Sequence, residues 1–230
     1  EPATDLVWNW HLDVICDAVR QIKREIPIKV CTSLGLLQPG QAERLAAAGV
    51  DRFNHNLETS ARYFPSICTT HTWEERVATL RAAKAAGMSA CSGGIIGLGE
   101  THEDVADLAF AVRDAEADSI PVNFFNPRPG TALGGAPGAV SGGQPLTPLF
   151  CLRVLAMFRL VNPERDIRVA AGREVNLRSL APLALTVCNS IFTNGYLTTP
   201  GSPAAQDHQM IRDAGYEIEQ VEVEACADAS

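Results

Sequence analysis

Three times the chain leaves a helical stretch through Ala-Gly and enters an extended segment: "LAAAGVDRF" at 45–53, "AKAAGMSAC" at 83–91 and "IRDAGYEIE" at 211–219. Glycine at that joint supplies the left-handed cap that ends a helix, so the repeated join marks a recurring β/α unit. Strands that alternate with helices pair in parallel through right-handed crossovers. The chain therefore reads as α/β.

Apolar patterning fills in the units. Helices are expected over 5–25 and 39–48, from the capping box Thr72-Trp-Glu-Glu75, from Thr101 to about Ala115, over 146–161 and 174–184, and from Ser202-Pro203 to Gly215. Six strands are expected between them, at 28–32, 50–56, 88–92, 119–125, 167–170 and 186–192. A closed (β/α)8 barrel of the TIM type uses eight strands and about 250 residues. The count predicts an incomplete barrel of about six units, corresponding to its third to eighth, or else an open doubly wound sheet. Residues 126–148 hold five Pro and six Gly and read as a long loop, and about 222–230 read as a flexible tail.

Composition excludes several classes. The 230 residues are 46% hydrophobic and 20% charged, one barrel domain's worth of core, and the net charge of −8 disfavours nucleic acid or an anionic membrane as partner. No apolar run is long enough for a membrane span, and the expectation is a cytosolic protein. The seven cysteines are dispersed and odd in number, which fits reduced thiols, and no CxxxCxxC occurs.

Chemistry concentrates at expected strand ends. Cys31, Cys91 and Arg168 meet at one mouth if the strands curve into a barrel, two thiols and a guanidinium around a point. "CSGGIIGLGET" at 91–101 places Gly93, Gly94, Gly97 and Gly99 between a strand and a helix N-terminus. Such a loop is either a tight turn or an approach for a planar or anionic ligand. In "FNHNLETS" at 53–60, Asn54, Asn56 and Glu58 alternate onto one face. That face is either a solvated edge or a set of inward amides suited to a urea or ribose.

Taken together, "KVCTSLGLL", "FNHNLETS", "CTTHTWEER", "CSGGIIGLGET", "SIPVNFF", "IRVAAGRE" and "NSIF…LTTPG", in this order and spacing, resemble the biotin synthase family of radical S-adenosylmethionine enzymes. The resemblance covers nearly the whole chain to about residue 215. It implies sulfur insertion into dethiobiotin by way of a 5′-deoxyadenosyl radical. It also implies that Cys31, Cys91 and Arg168 are three of four ligands of a [2Fe–2S] cluster. Thiolates are apt iron ligands, and a guanidinium offsets a cluster's negative charge.

By the same resemblance Asn56, Glu58 and Arg76 contact S-adenosylmethionine, with Glu58 where Asp is familiar, and Gly93, Gly94, Ile95 and Gly97 form the adenine loop. Asn54, Asn56 and Asn123 would face the ureido ring of dethiobiotin, and Thr198 and Thr199 its carboxylate. The family also implies a [4Fe–4S] cluster, an electron donor such as flavodoxin or ferredoxin, and a homodimer. The [4Fe–4S] ligands and a third cysteine for the smaller cluster are missing from this chain. The expectation is therefore a piece of a longer protein, inactive by itself. Two other readings stay open: a related radical enzyme with a different substrate, and a paralogue that only binds ligand. Cys16, Cys68, Cys151, Cys188 and Cys226 have no matching role.

Overall fold

A computed structural model describes residues 2–131, 133, 140–195 and 201–219. Its elements in chain order are α1 (Pro2–Glu25), β1 (Cys31–Thr32), α2 (Gln41–Ala48), β2 (Arg52–Asn54), α3 (Trp73–Ala85), β3 (Ser89–Cys91), β4 (Gly94–Ile96), α4 (His102–Asp114) and β5 (Ser119–Phe124). A hairpin of β6 (Val140–Ser141) and β7 (Gln144–Pro145) follows. The chain then continues through α5 (Pro148–Val161), β8 (Asp166–Val169), α6 (Arg173–Leu177), β9 (Ser190–Ile191) and α7 (Ala204–Asp213).

The sheet runs β1-β2-β3-β5-β8-β9, with β4 also on β5, and every pairing in it is parallel. All six expected strands contribute to it, and β4, inside the glycine-rich segment expected to be a loop, is a further short strand beyond those six. Gly49, Gly87 and Gly215 have φ of 101°, 90° and 80°, the left-handed caps that the repeated joints require. The helix-facing side of the sheet is apolar. Leu57, Ile96, Ile120, Val122, Ile167 and Val169 pack with α3, α4 and α5, while Phe53, Val50 and Met88 close a second cluster with α1 and α2.

Alternate strand pairs share a clamp at their starts. Asp51 accepts from the Val30 amide at 2.6 Å and from Lys23 Nζ at 2.8 Å, tying β2 to β1 and α1. Asp118 accepts from the Ala90 amide at 2.8 Å and from Lys84 at 3.1 Å, tying β5 to β3 and α3. Asn189 accepts from the Ile167 amide at 2.9 Å and from Arg159 at 2.8 Å, tying β9 to β8 and α5. Each clamp joins a strand, its predecessor and the helix before that predecessor, which fixes register where a slip would turn the inner face outward.

Several boundaries differ from expectation. Only Cys31–Thr32 and Ser190–Ile191 of the longer expected first and last strands pair. The helix expected over 174–184 stops at Leu177, where Arg178 takes φ 51°, and continues as 3-10 turns around Pro182. Proline cannot donate to a continuing α-helix. Within 126–148 the Gly142-Gly143 pair, with φ of 57° and 73°, turns the β6–β7 hairpin, and the Gly142 amide donates to the Glu100 carbonyl at 2.7 Å. The expected tail, about 222–230, lies outside the described residues.

Candidate active site

The inner face of the sheet presents residues in layers. On β2, Phe53 and His55 are buried on the helix side, so Arg52, Asn54 and Asn56 point the other way. The pairing sets Cys31 level with Arg52, Asn54 level with Cys91, and Pro121 level with Arg168. One layer toward the strand C-termini, a cavity of about 320 Å³ is lined by Asn56, Glu58, Ile95, Asn123, Ala170 and Phe192 among others. That volume fits a small ligand. C-terminal strand ends are also where barrels of this kind carry their chemistry.

Glu58 dominates the cavity. It adopts φ 68°, an uncommon conformation for glutamate, and bridges to Gly94 in parallel: its amide donates to the Gly93 carbonyl at 3.1 Å and its carbonyl accepts from Ile95 at 2.8 Å. Burial pushes its carboxyl pKa up, while the Arg76 charge and a hydrogen bond from Asn56 pull it down. Oε1 lies 3.7 Å from Arg76, but Oε2 is buried with no partner among the described residues. A ligand hydroxyl would satisfy it.

Arg76 is held on three sides. It donates to the Asn56 carbonyl at 2.6 Å and to His71 Nε2 at 2.9 Å, and its guanidinium lies 5.5 Å from the Phe64 ring centre. His71 thus serves as an acceptor that sequence reasoning passed over. Asn123 clamps two strand ends, donating to the Gly94 carbonyl at 3.0 Å and accepting from Ala171 at 3.1 Å. Each end of the amide keeps one further hydrogen-bonding position. Asn54 donates to Ser33 Oγ at 3.3 Å.

The glycine loop is more self-contained than its sequence indicates. The Gly97 and Leu98 amides donate to the buried Glu100 carboxylate at 2.9 and 2.7 Å, and the Gly93 amide donates to Asn56 Oδ1 at 3.2 Å. These amides are not left open for an anion. A Cβ on Gly93 would stand 1.9 Å from the Pro121 carbonyl oxygen, and one on Gly94 would stand 2.3 Å from that of Glu58. Gly93 and Gly94 therefore permit close backbone packing, whereas Gly97, at φ 104°, shapes the turn.

Beneath the cavity, Cys31, Cys91 and Arg168 lie within electrostatic reach of one another. Desolvation raises the pKa of both thiols. For Cys31 the neighbouring Cys91 adds to this while Arg52 and Arg168 oppose it, and for Cys91 Arg168 opposes it first. Arg168 donates to Ser190 Oγ at 2.7 Å and lies 5.3 Å from the Phe192 ring centre, so its head group is fixed. By contrast Cys151 and Cys188 are buried and pushed up to about 12, as inert thiols are. Thr198 and Thr199 lie outside the described residues.

Residues 8–112 match the Radical SAM superfamily, and residues 121–217 match the Biotin and Thiamin Synthesis associated domain. Together the two matches take in most of the chain. It is 51% identical over 214 residues to a biotin synthase of Bacillus licheniformis, covering 93% of this chain and 62% of that protein. It is 54% identical over 207 residues to one of Salinibacter ruber, covering 90% and 56%. The chain thus spans about three fifths of the length of these curated relatives. In fold it resembles methylornithine synthase (PylB), with a TM-score of 0.73 at 18% identity over 90% of this chain and 64% of that one. The hydrogenase maturase HydG gives a TM-score of 0.69 at 13% identity, over 89% and 49%.

The donor sets decide what the chain can hold. The unpartnered Glu58 oxygen beside Asn56 and Arg76 fits a ligand with hydroxyl donors, as the ribose of S-adenosylmethionine is. Two thiols fit an iron–sulfur group only in part: among the described residues no three His, Cys, Asp or Glu group together, and such a group would need further donors. For a [4Fe–4S] cluster the sequence offers no CxxxCxxC. No helix among the described residues is long and apolar enough to cross a membrane.

Proposed function

We propose that this chain forms the binding and sulfur-inserting part of a biotin synthase, acting on dethiobiotin with S-adenosylmethionine. The observation that carries the reading is the stacking of two layers on one inner face, an amide- and carboxylate-lined cavity above a pair of thiols with a fixed guanidinium. When bound, S-adenosylmethionine and the iron–sulfur groups supply the radical, the electrons and the sulfur.

The chain's own residues bind, orient and exclude water. Glu58 and Asn56 receive the ribose hydroxyls and Arg76 takes the methionyl carboxylate, a charge-assisted pairing suited to a guanidinium fork. Ile95, with Gly93, Gly94 and Gly97, shapes the wall for the adenine. Asn123 and Asn56 turn their remaining amide positions toward the ureido ring, while Phe124, Phe125 and Phe192 provide an apolar surround. Cys31 and Cys91, with the Arg168 guanidinium beside them, would hold part of a [2Fe–2S] group, which would need further donors from outside the described residues. A one-electron donor of the flavodoxin or ferredoxin kind completes the scheme.

The test is anaerobic turnover of the full-length gene product that contains this chain, with dethiobiotin, S-adenosylmethionine and a reductant. Biotin formation is expected. Replacing Asn123 by Ala should raise the KM for dethiobiotin at least tenfold, about 1.4 kcal/mol, with S-adenosylmethionine binding unchanged. Absence of biotin, with S-adenosylmethionine still cleaved, would point instead to another substrate.

A further inference from the structure

The guanidinium of Arg76 is held by a ring and a carbonyl, with its one carboxylate neighbour further away. Nε donates to His71 Nε2 at 2.9 Å and Nη1 donates to the Asn56 carbonyl at 2.6 Å, whereas Glu58 Oε1, the carboxylate oxygen within ion-pairing distance among the described residues, lies 3.7 Å from Nη1. No hydrogen bond of Nη2 is found among the described residues. Arg76 stands directly behind Asn56 and Glu58, which both line the cavity, and its side chain is only 15% exposed.

That pattern dictates the state of the ring. A guanidinium only donates, so Nε2 is the bare nitrogen of a neutral imidazole and the proton sits on Nδ1. Nδ1 has Thr70 Oγ1 at 3.0 Å to accept that proton's hydrogen bond, with Cys68 Sγ at 3.5 Å beside it. The His71 ring also meets Phe64 edge-on, their centres 5.7 Å apart, and the Arg76 guanidinium lies against the same Phe64 ring. Both members of the Arg76–His71 bond are therefore braced from elsewhere.

A carboxylate can engage a guanidinium bidentately along the side edge, through Nε and Nη2, or along the end, through Nη1 and Nη2. His71 occupies Nε and so closes the side edge. Asn56 takes one of the two hydrogens on Nη1, which leaves the end with the other and both of those on Nη2.

We propose that His71 is a positioning residue for Arg76: by accepting at Nε it closes the side edge of the guanidinium and presents the Nη1–Nη2 end to the carboxylate of the bound ligand. This rests on the reading in which Arg76 receives the methionyl carboxylate of S-adenosylmethionine. A partly exposed histidine in the turn before α3, five residues upstream of the arginine, then governs affinity for the amino-acid end of that ligand and not for its nucleoside end.

The experiment is anaerobic calorimetric titration of the full-length gene product, reconstituted with iron and sulfide, with two ligands: S-adenosylmethionine, and 5′-methylthioadenosine, which keeps the adenosine and lacks the carboxylate. His71→Leu removes the acceptor, and His71→Gln restores an amide oxygen near the place of Nε2. His71→Leu is expected to weaken S-adenosylmethionine by about fivefold or more, a loss at least about threefold greater than its loss for 5′-methylthioadenosine and than the loss of S-adenosylmethionine in His71→Gln. A smaller loss, an equal loss of both ligands, or an equal loss in both variants overturns the inference, because each is what a merely structural histidine would give. Arg76→Gln separates this inference from the reading beneath it. If Arg76→Gln loses S-adenosylmethionine while His71→Leu does not, the inference alone falls; if Arg76→Gln binds S-adenosylmethionine as wild type does, the carboxylate reading falls and takes the inference with it.

Discussion

At the scale of single residues, burial and backbone conformation separate side chains that their types alone do not. His55 is buried against Phe53, and burial, with the charges of Arg76 and His71, lowers its pKa from 6.5 to about 4. The unfolded chain takes up a proton near pH 6.5 and the folded chain only near 4, so between these values the unfolded state binds more protons and stability falls as pH falls. The loss reaches roughly 3 kcal/mol by pH 4. Urea unfolding from pH 7 to 4.5 should show that slope, and His55→Gln should flatten it. Gly93→Ala drives a methyl group into the Pro121 carbonyl and should cost at least about 3 kcal/mol, or prevent folding, measured by thermal unfolding. The alternation of Asn54 and Asn56 was legible in the sequence because strand period two is local. That Asn54 stands level with Cys91 was not, since it depends on pairing with a strand about forty residues away.

At the scale of elements, helix starts and stops were the most readable feature. Thr72 with Glu75 and Thr101 with Asp104 both form reciprocal capping boxes, and both are signalled by neighbouring residues. The second box is tied further into the fold. Asp104 also accepts from Ser60 at 2.6 Å and Arg62 at 3.0 Å, which hold its pKa well below the usual carboxylate range. The break at Arg178 and the short outer strands were less legible, because they depend on where neighbouring strands end. How α7 docks was invisible in sequence. Asp207 on α7 and Arg173 on α6 are both buried and meet at 2.9 Å, thirty-four residues apart. Asp207→Ala leaves the guanidinium buried with the partly exposed Glu174 as its remaining counter-ion and the Phe192 carbonyl at 3.5 Å, and should cost about 3–5 kcal/mol by urea denaturation. The double variant Asp207→Ala with Arg173→Met should recover a large part of that loss.

At the scale of the whole molecule, the α/β class and parallel strand order follow from the repeated Ala-Gly joints, but the saturation of the glycine loop by Glu100 shows how tertiary partners revise a motif's apparent openness. Glu58 carries a related lesson about design. Its left-handed backbone costs about 1–3 kcal/mol for a side chain with a Cβ, and its buried oxygen adds to that cost. Glu58→Gly should therefore melt at a higher temperature, by about 1 kcal/mol or more, while its affinity for S-adenosylmethionine falls at least tenfold in calorimetric titration. A search for robustness alone would erase this glutamate first, so a strained, half-satisfied side chain at the mouth of the cavity makes sense as equipment for a task that foldability does not require.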